Sequence, residues 1–153
     1  MPIQLNHTIV ASRDSAAAAR FLSELMELPA PVKAGPFSGV QVGETTLDFI
    51  DSEEVHPQHY AFLVSEAEFD AIFGRIRERG FSYWADPGRR EAGRINSWDG
   101  GRGVYFDDPS GHLLEIITRP YGSGGSTSTN RHPLFAQRGP EKPLEGSPGK
   151  GPG

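Results

Sequence analysis

The sequence predicts an α+β fold in which two βαβββ modules pair to form a cupped mixed sheet. Three observations predict it. Two amphipathic helical stretches, DSAAAARFLSELMEL and EAEFDAIFGRIRERG, are set among short strand-like runs. The two halves read in one order: strand, helix, short strand, strand, strand. The halves also overlay. LNHTIVASRDSAAAARF falls on PQHYAFLVSEAEFDAIF, and GVQVGETTLDFI falls on GVYFDDPSGHLLEII, with the second copy's turn three residues longer. The modules span about residues 3–51 and 57–121, within one domain of residues 1–121.

Each element has a local reason. LNHTIVA is apolar and β-branched enough for a strand. The first helix starts at Asp14 or Ser15, either of which can cap it, and places Ala17, Phe21, Leu25 and Leu28 on one face. GVQV and TTLDFI are strands joined by a turn at Gly43–Glu44. HYAFLVS is a strand. The second helix presents Phe69, Ile72, Phe73 and Ile76, and ends at Gly80. FSYW is a short strand. GVYFDD and HLLEIIT are strands around a turn at Asp108–Pro109–Ser110–Gly111, where Pro and Gly suit their positions.

Bulk composition bounds the function. The chain has 153 residues, 36% hydrophobic and 23% charged, with a net charge of −5 and no basic block in residues 1–121. Nucleic acid is therefore not the expected partner. There are no cysteines, so disulfides, zinc-thiolate sites and thiol nucleophiles are excluded, and a metal would be held by His, Asp or Glu. MPIQLNHTIV has no basic segment followed by an apolar run, and no stretch has membrane-spanning length. No membrane association and a cytoplasmic location are the default expectations.

The chemistry centres on Glu115, which lies in the apolar run HLLEIIT. A buried, unpaired carboxylate is costly, so a partner is expected. The overlay places His7 on His59 and Asp48 on Glu115. Strand alternation puts Leu5, His7 and Ile9 on one face, His59, Ala61 and Leu63 on another, and Leu113, Glu115 and Ile117 on a third. If the modules pair about a pseudo-twofold axis, these faces converge. Two imidazoles and a carboxylate suit a divalent metal: Fe(II) first, with Mn, Ni, Co or Zn also compatible. Asp48 is then a fourth ligand or sits behind a bridging water, being one methylene shorter than Glu.

Structural alternatives stand beside each assignment. Glu115 can pair with Arg102 or Arg119 instead. His7 can be a hydrogen-bonded core histidine. His56 competes with His59, although the following Pro57 marks it as a loop residue. His112 follows the turn and is expected to face solvent or a neighbouring chain.

LNHTIV, PQHYAFLV and GGRGVYFDDPSGHLLEIIT resemble the vicinal oxygen chelate superfamily, which includes glyoxalase I, bleomycin- and fosfomycin-resistance proteins, extradiol dioxygenases and methylmalonyl-CoA epimerase. The resemblance covers residues 3–121. It implies metal ligation by His7, His59 and Glu115. Glyoxalase I carries Glu or Gln where this chain has Asp48, which counts against glyoxalase chemistry. The potassium-binding loop of fosfomycin transferases is not recognisable, and bleomycin-binding members lack the ligands kept here. LNHTIV, PQHYAFLV and EIITRPYG are most similar to small ring-opening oxygenases of aromatic polyketide pathways, of the chartreusin type. That implies a dioxygenase acting on an aromatic molecule with neighbouring oxygens, and a homodimer whose metal sites many relatives build by exchanging modules. The alternatives are drug binding or thiol transfer in antibiotic resistance, and a glyoxalase-like isomerase.

Two further segments bear on the ligand. Gly88 to Gly103 is a long Gly/Arg-rich loop of the kind that forms lids. Trp98 is a candidate to stack on a planar substrate and Arg94 or Arg102 to bind its oxyanion, with Tyr105 and Tyr121 lining the pocket. The alternative is a solvated connection with Trp98 covering the core edge. From Gly122 to Gly153 the chain is rich in Gly, Pro and Ser and is expected to form a loose tail. The alternative there is that His132 to Phe135 docks on a partner subunit or over a pocket mouth.

Overall fold

The structure is a computed structural model and describes residues 2–125 and 130–136. It contains two four-stranded sheets, each with one helix of twelve or thirteen residues. In the first module β1 (His7–Ser12) is followed by α1 (Ser15–Met26), β2 (Val32–Ala34), β3 (Phe37–Val42) and β4 (Thr45–Asp51). In the second, β5 (His59–Leu63) is followed by α2 (Glu66–Glu78), β6 (Tyr83–Trp84), β7 (Gly103–Asp107) and β8 (Leu113–Ile117). The strand orders β1-β4-β3-β2 and β5-β8-β7-β6 match, and in each sheet the first strand lies parallel to the last. A helix between them supplies the crossover that parallel pairing needs.

The register confirms the repeat and corrects one part of it. Ile9 faces Asp48 in the first sheet as Ala61 faces Glu115 in the second. The third strands, however, align two residues away from the Gly-Val match. Gly39 pairs with Asp48, whereas Tyr105 pairs with Glu115. Gln41 pairs with Thr46 and Asp107 with Leu113, separations of five and six, so the second turn is one residue longer rather than three. A slip of two preserves the faces, because side chains alternate with period two.

Asp14 caps α1 through its side chain, and Ser65 and Glu68 form a reciprocal capping box on α2. Gly80 takes a positive φ just past α2. The buried face of α1 is rotated from the expected one: Ala18, Ala19, Leu22 and Leu25 are buried, while Ala17, Phe21 and Leu28 are only partly covered. The run of four alanines offers no contrast from which to read a face.

One apolar core serves both modules. Val10, Leu22, Leu47 and Phe49 join Phe69, Ile76, Phe106, Leu114 and Ile116 in a single cluster. Each large side chain buried there contributes about 1.5–3 kcal/mol. The helices meet where Arg75 Nε donates to the Leu25 carbonyl at 2.8 Å, and Phe21 of α1 packs at 5.3 Å on Phe81, which follows α2.

His112 completes the join. It is buried, contrary to its expected exposure. Its Nε2 bonds the Ala11 carbonyl at 2.7 Å, and its Nδ1 accepts the Gln58 N–H at 2.9 Å. A carbonyl can only accept, so the proton sits on Nε2 and both ring nitrogens are used. No described helix is long and apolar enough to cross a membrane.

Candidate metal centre

With helices and core on one side of each sheet, the other face carries the candidate chemistry. Glu115 projects from the middle of β8 and is 0% exposed. Its Oε1 accepts from the Tyr121 hydroxyl and lies 3.2 Å from His59 Nε2. The Tyr105 hydroxyl lies 3.1 Å from that of Tyr121. Neither Arg102 nor Arg119 pairs with Glu115. Arg102 instead binds Glu66 at 2.7 Å and Asp70 at 2.8 Å and lies over the Phe69 ring. It therefore ties β7 to α2 and is not available to a substrate oxyanion. Arg94 is exposed and has no hydrogen bond or ion pair among the described residues.

The protonation of His59 follows from its other bond. Its Nδ1 contacts the Leu113 carbonyl at 2.9 Å, so Nδ1 carries a proton. Neutral His59 then turns a lone pair toward the carboxylate oxygen. Two lone pairs at 3.2 Å need a cation between or beside them, either a second proton or a metal ion. Glu115 Oε2 is also buried and has no partner. Leaving a buried acceptor unmet costs about 1–3 kcal/mol, more for a charged group. An oriented imidazole with a carbonyl behind it and a carboxylate with a free buried oxygen are donors a divalent metal accepts. His59 and Glu115 thus fit such an ion.

Both tyrosines have raised pKa values, first through burial; interaction with Glu115 raises both further, while their mutual hydrogen bond raises Tyr105 and lowers Tyr121. They stay protonated at neutral pH and act as donors. The Tyr105 ring stacks on His59 at 5.8 Å, and Trp98 packs edge-on to Tyr105 at 6.3 Å. Trp98 thus stands beside the site.

His7 and Asp48 are not part of this cluster. Among the described residues, no three His, Asp or Glu side chains come close enough together to hold a metal. His7 is exposed, with Nδ1 2.8 Å from the Asn6 side-chain oxygen. Asp48 is half-buried over Gly39, where an added Cβ would lie 3.0 Å from its Oδ1. The faces holding His7 and His59 are open and apolar: Leu5 is 65%, Ile9 57% and Leu63 63% exposed.

Composition gave no sign of one participant. His132 lies in the stretch expected to be a loose tail, yet it is 4% exposed, with its ring 3.8 Å from Tyr121 and 4.6 Å from Trp98. The available signal was the short apolar group His132 to Phe135. The rest of the expected tail, residues 126–129 and 137–153, lies outside the described residues.

A two-module βαβββ fold with an oriented His–Glu pair on an inner sheet face defines a class. The chain belongs to the Glyoxalase/Bleomycin resistance protein/Dioxygenase superfamily, whose family model matches residues 4–116. Within it, the chain is similar to two solved structures called oxidases. Oxidase ChaP-H2 is 59% identical, with a TM-score of 0.79, covering 82% of this chain and 100% of that one. Oxidase ChaP-H1 is 59% identical, with a TM-score of 0.77, covering 79% and 99%. The metallothiol transferase FosB of Shouchella clausii (strain KSM-K16) is 37% identical over 71 residues, 45% of this chain. The matched stretch is 44% of that relative's length.

Proposed function

We propose that the protein is a metal-dependent dioxygenase for an aromatic, polyketide-like small molecule with two neighbouring oxygens, and that it works as a homodimer. Its ligands are His59 and Glu115 of one copy with His7 of the other, and Asp48 lies close by as a fourth ligand or a water-mediated contact. The observation that carries this reading is the free, buried Oε2 of Glu115 beside an imidazole lone pair. The likeness to two oxidases at 59% identity favours oxygen chemistry. The apolar faces around His7 and His59 favour a second copy as their cover.

A bound divalent metal, Fe(II) by preference, would polarise the substrate's two oxygens and supply the redox step with dioxygen. The chain's residues prepare the place. Leu113 fixes the His59 tautomer. Tyr121 holds one carboxylate oxygen and leaves the other free. Tyr121 and Trp98, both half-buried, offer ring faces and edges to a planar molecule, and buried Tyr105 backs the His59 ring beneath it. Leu5, Ile9 and Leu63 keep water away once covered.

The test begins with untagged protein purified under low oxygen. Bound metal near one per chain, lost in Glu115→Ala, is expected. Mixing unfolded His7→Ala and Glu115→Ala chains and refolding them together should regenerate metal sites, because a mixed dimer keeps one intact set. Oxygen uptake with a polyphenol should follow metal content. No metal in the wild type after reconstitution would sink the reading. A second reading, thiol transfer to a drug, draws on the FosB likeness. Thiol consumption without oxygen uptake would favour it.

A further inference from the structure

The chain brings one more polar group to the Glu115 site than the proposed chemistry uses. Asn130 fastens the segment that carries it. Its carbonyl accepts the Asp99 N–H at 2.6 Å, and its Nδ2 donates to Ser97 Oγ at 2.7 Å. Two residues on, the His132 ring lies buried against Tyr121 and Trp98. Tyr121 is the residue that donates to Glu115.

His132 has a defined tautomer. The Leu134 N–H donates to its Nδ1 at 3.1 Å, so Nδ1 presents a lone pair and the neutral ring carries its proton on Nε2. Burial pushes its pKa down, opposed by Glu115 and Asp99, which keeps the ring neutral at pH 7. This Nε2–H is buried and has no acceptor. Glu115 Oε2 and Asp99 Oδ1 are buried and lack donors. Both carboxylates act electrostatically on His132, yet neither accepts its proton. Asp99 is further committed, with Oδ2 accepting the Gly122 N–H at 2.8 Å. One unmet donor and two unmet acceptors stand around the same aromatic group. Native proteins bury such atoms rarely, and each asks for a missing partner.

We propose that His132 is a ligand-recognition residue: its Nε2–H donates to a carbonyl or phenolate oxygen of the planar molecule held beside Glu115, with Tyr121 and Trp98 as the flanking rings. This deepens the proposed function and rests on it. Donor recognition of this kind selects ligands bearing an acceptor oxygen beyond those that meet the metal. It also gives residues 130–136 a role in specificity.

The experiment uses the full chain loaded with Fe(II) under argon and alizarin as probe, a planar catechol that also carries quinone carbonyl oxygens, with binding followed by its visible absorption. His132→Phe keeps a ring but removes the donor. It should weaken the probe about tenfold, equivalent to ~1.4 kcal/mol, with metal content unchanged. His132→Gln restores an N–H and should recover most of the affinity, which a purely structural role would not require. In the wild type, the ¹⁵N resonance of His132 Nε2 should move when the probe binds. Equal affinity in His132→Phe at full metal content would overturn the proposal. If that variant fails to fold, an Nε2 resonance unmoved by bound probe would overturn it and leave a trapped water as the partner. Wild type that takes up no metal would instead overturn the proposed function, and this inference with it.

Discussion

Replacing Glu115 with Gln should stabilise the metal-free protein. The substitution keeps the shape and an oxygen for the Tyr121 hydroxyl but removes a charge from a position that is 0% exposed. Removing the unmet charged oxygen gains about 2–3 kcal/mol. The amide leaves a neutral group in its place, and the Tyr121 bond, no longer charge-assisted, loses about 1 kcal/mol. The net gain is about 1–2 kcal/mol, or roughly 3–6 °C in Tm for a domain of this size. The assay is thermal unfolding of both proteins in a chelator, then with saturating metal. Metal should reverse the order, since binding at a thousandfold excess over Kd stabilises the wild type by about 4 kcal/mol. Glu115→Gln should gain little. A variant less stable than wild type in the chelator would refute the reasoning, because the carboxylate would then be satisfied by the fold alone.

Other positions give further tests. His112→Phe leaves the Ala11 carbonyl and the Gln58 N–H without their partner, and should cost about 2–4 kcal/mol in urea unfolding. Leu63→Arg changes an exposed side chain, so the fold should lose less than about 0.5 kcal/mol. On a sizing column it should nonetheless abolish the proposed dimer, and a dimer that persists would remove this face from the proposed interface. Asp51 accepts the Ser15 N–H at the start of α1, and that bond depresses its pKa below 3.8. Its contribution is full above 3.8 and is lost as pH falls through the lower folded value. The stability gap between wild type and Asp51→Asn should therefore close on acidification, and a gap that is constant down to the acid limit would contradict it.

The repeat was legible because it is written in side-chain alternation and in two histidines and two acids at matched places. The structure keeps the match of Asp48 with Glu115, which stand opposite Ile9 and Ala61 in strands paired alike. The two-residue slip of β3 against β7 was not legible, since Gly-Val matches Gly-Val in sequence while the longer turn moves the true partner. His59 and Glu115 meet as the overlay implies. Equivalence in a repeat does not set two faces against each other, and His7 lies apart from His59 and Glu115. His112 was misread because its burial depends on a neighbour about a hundred residues earlier, Ala11, that no local pattern contains. The burial of His132 was legible only as the alternative that His132 to Phe135 docks, because counting aliphatic residues ignores what three aromatic rings hold together.

The pairing of Gly39 with Asp48, against Tyr105 with Glu115, makes the two halves of the repeat unequal. One acid sits above bare backbone and the other beneath a phenol ring. In the proposed site, a flat molecule would find bare backbone beside one acid and an aromatic ring beside the other. Its two faces are then no longer equivalent. In the proposed site, that difference would favour one orientation of the bound molecule over its reverse.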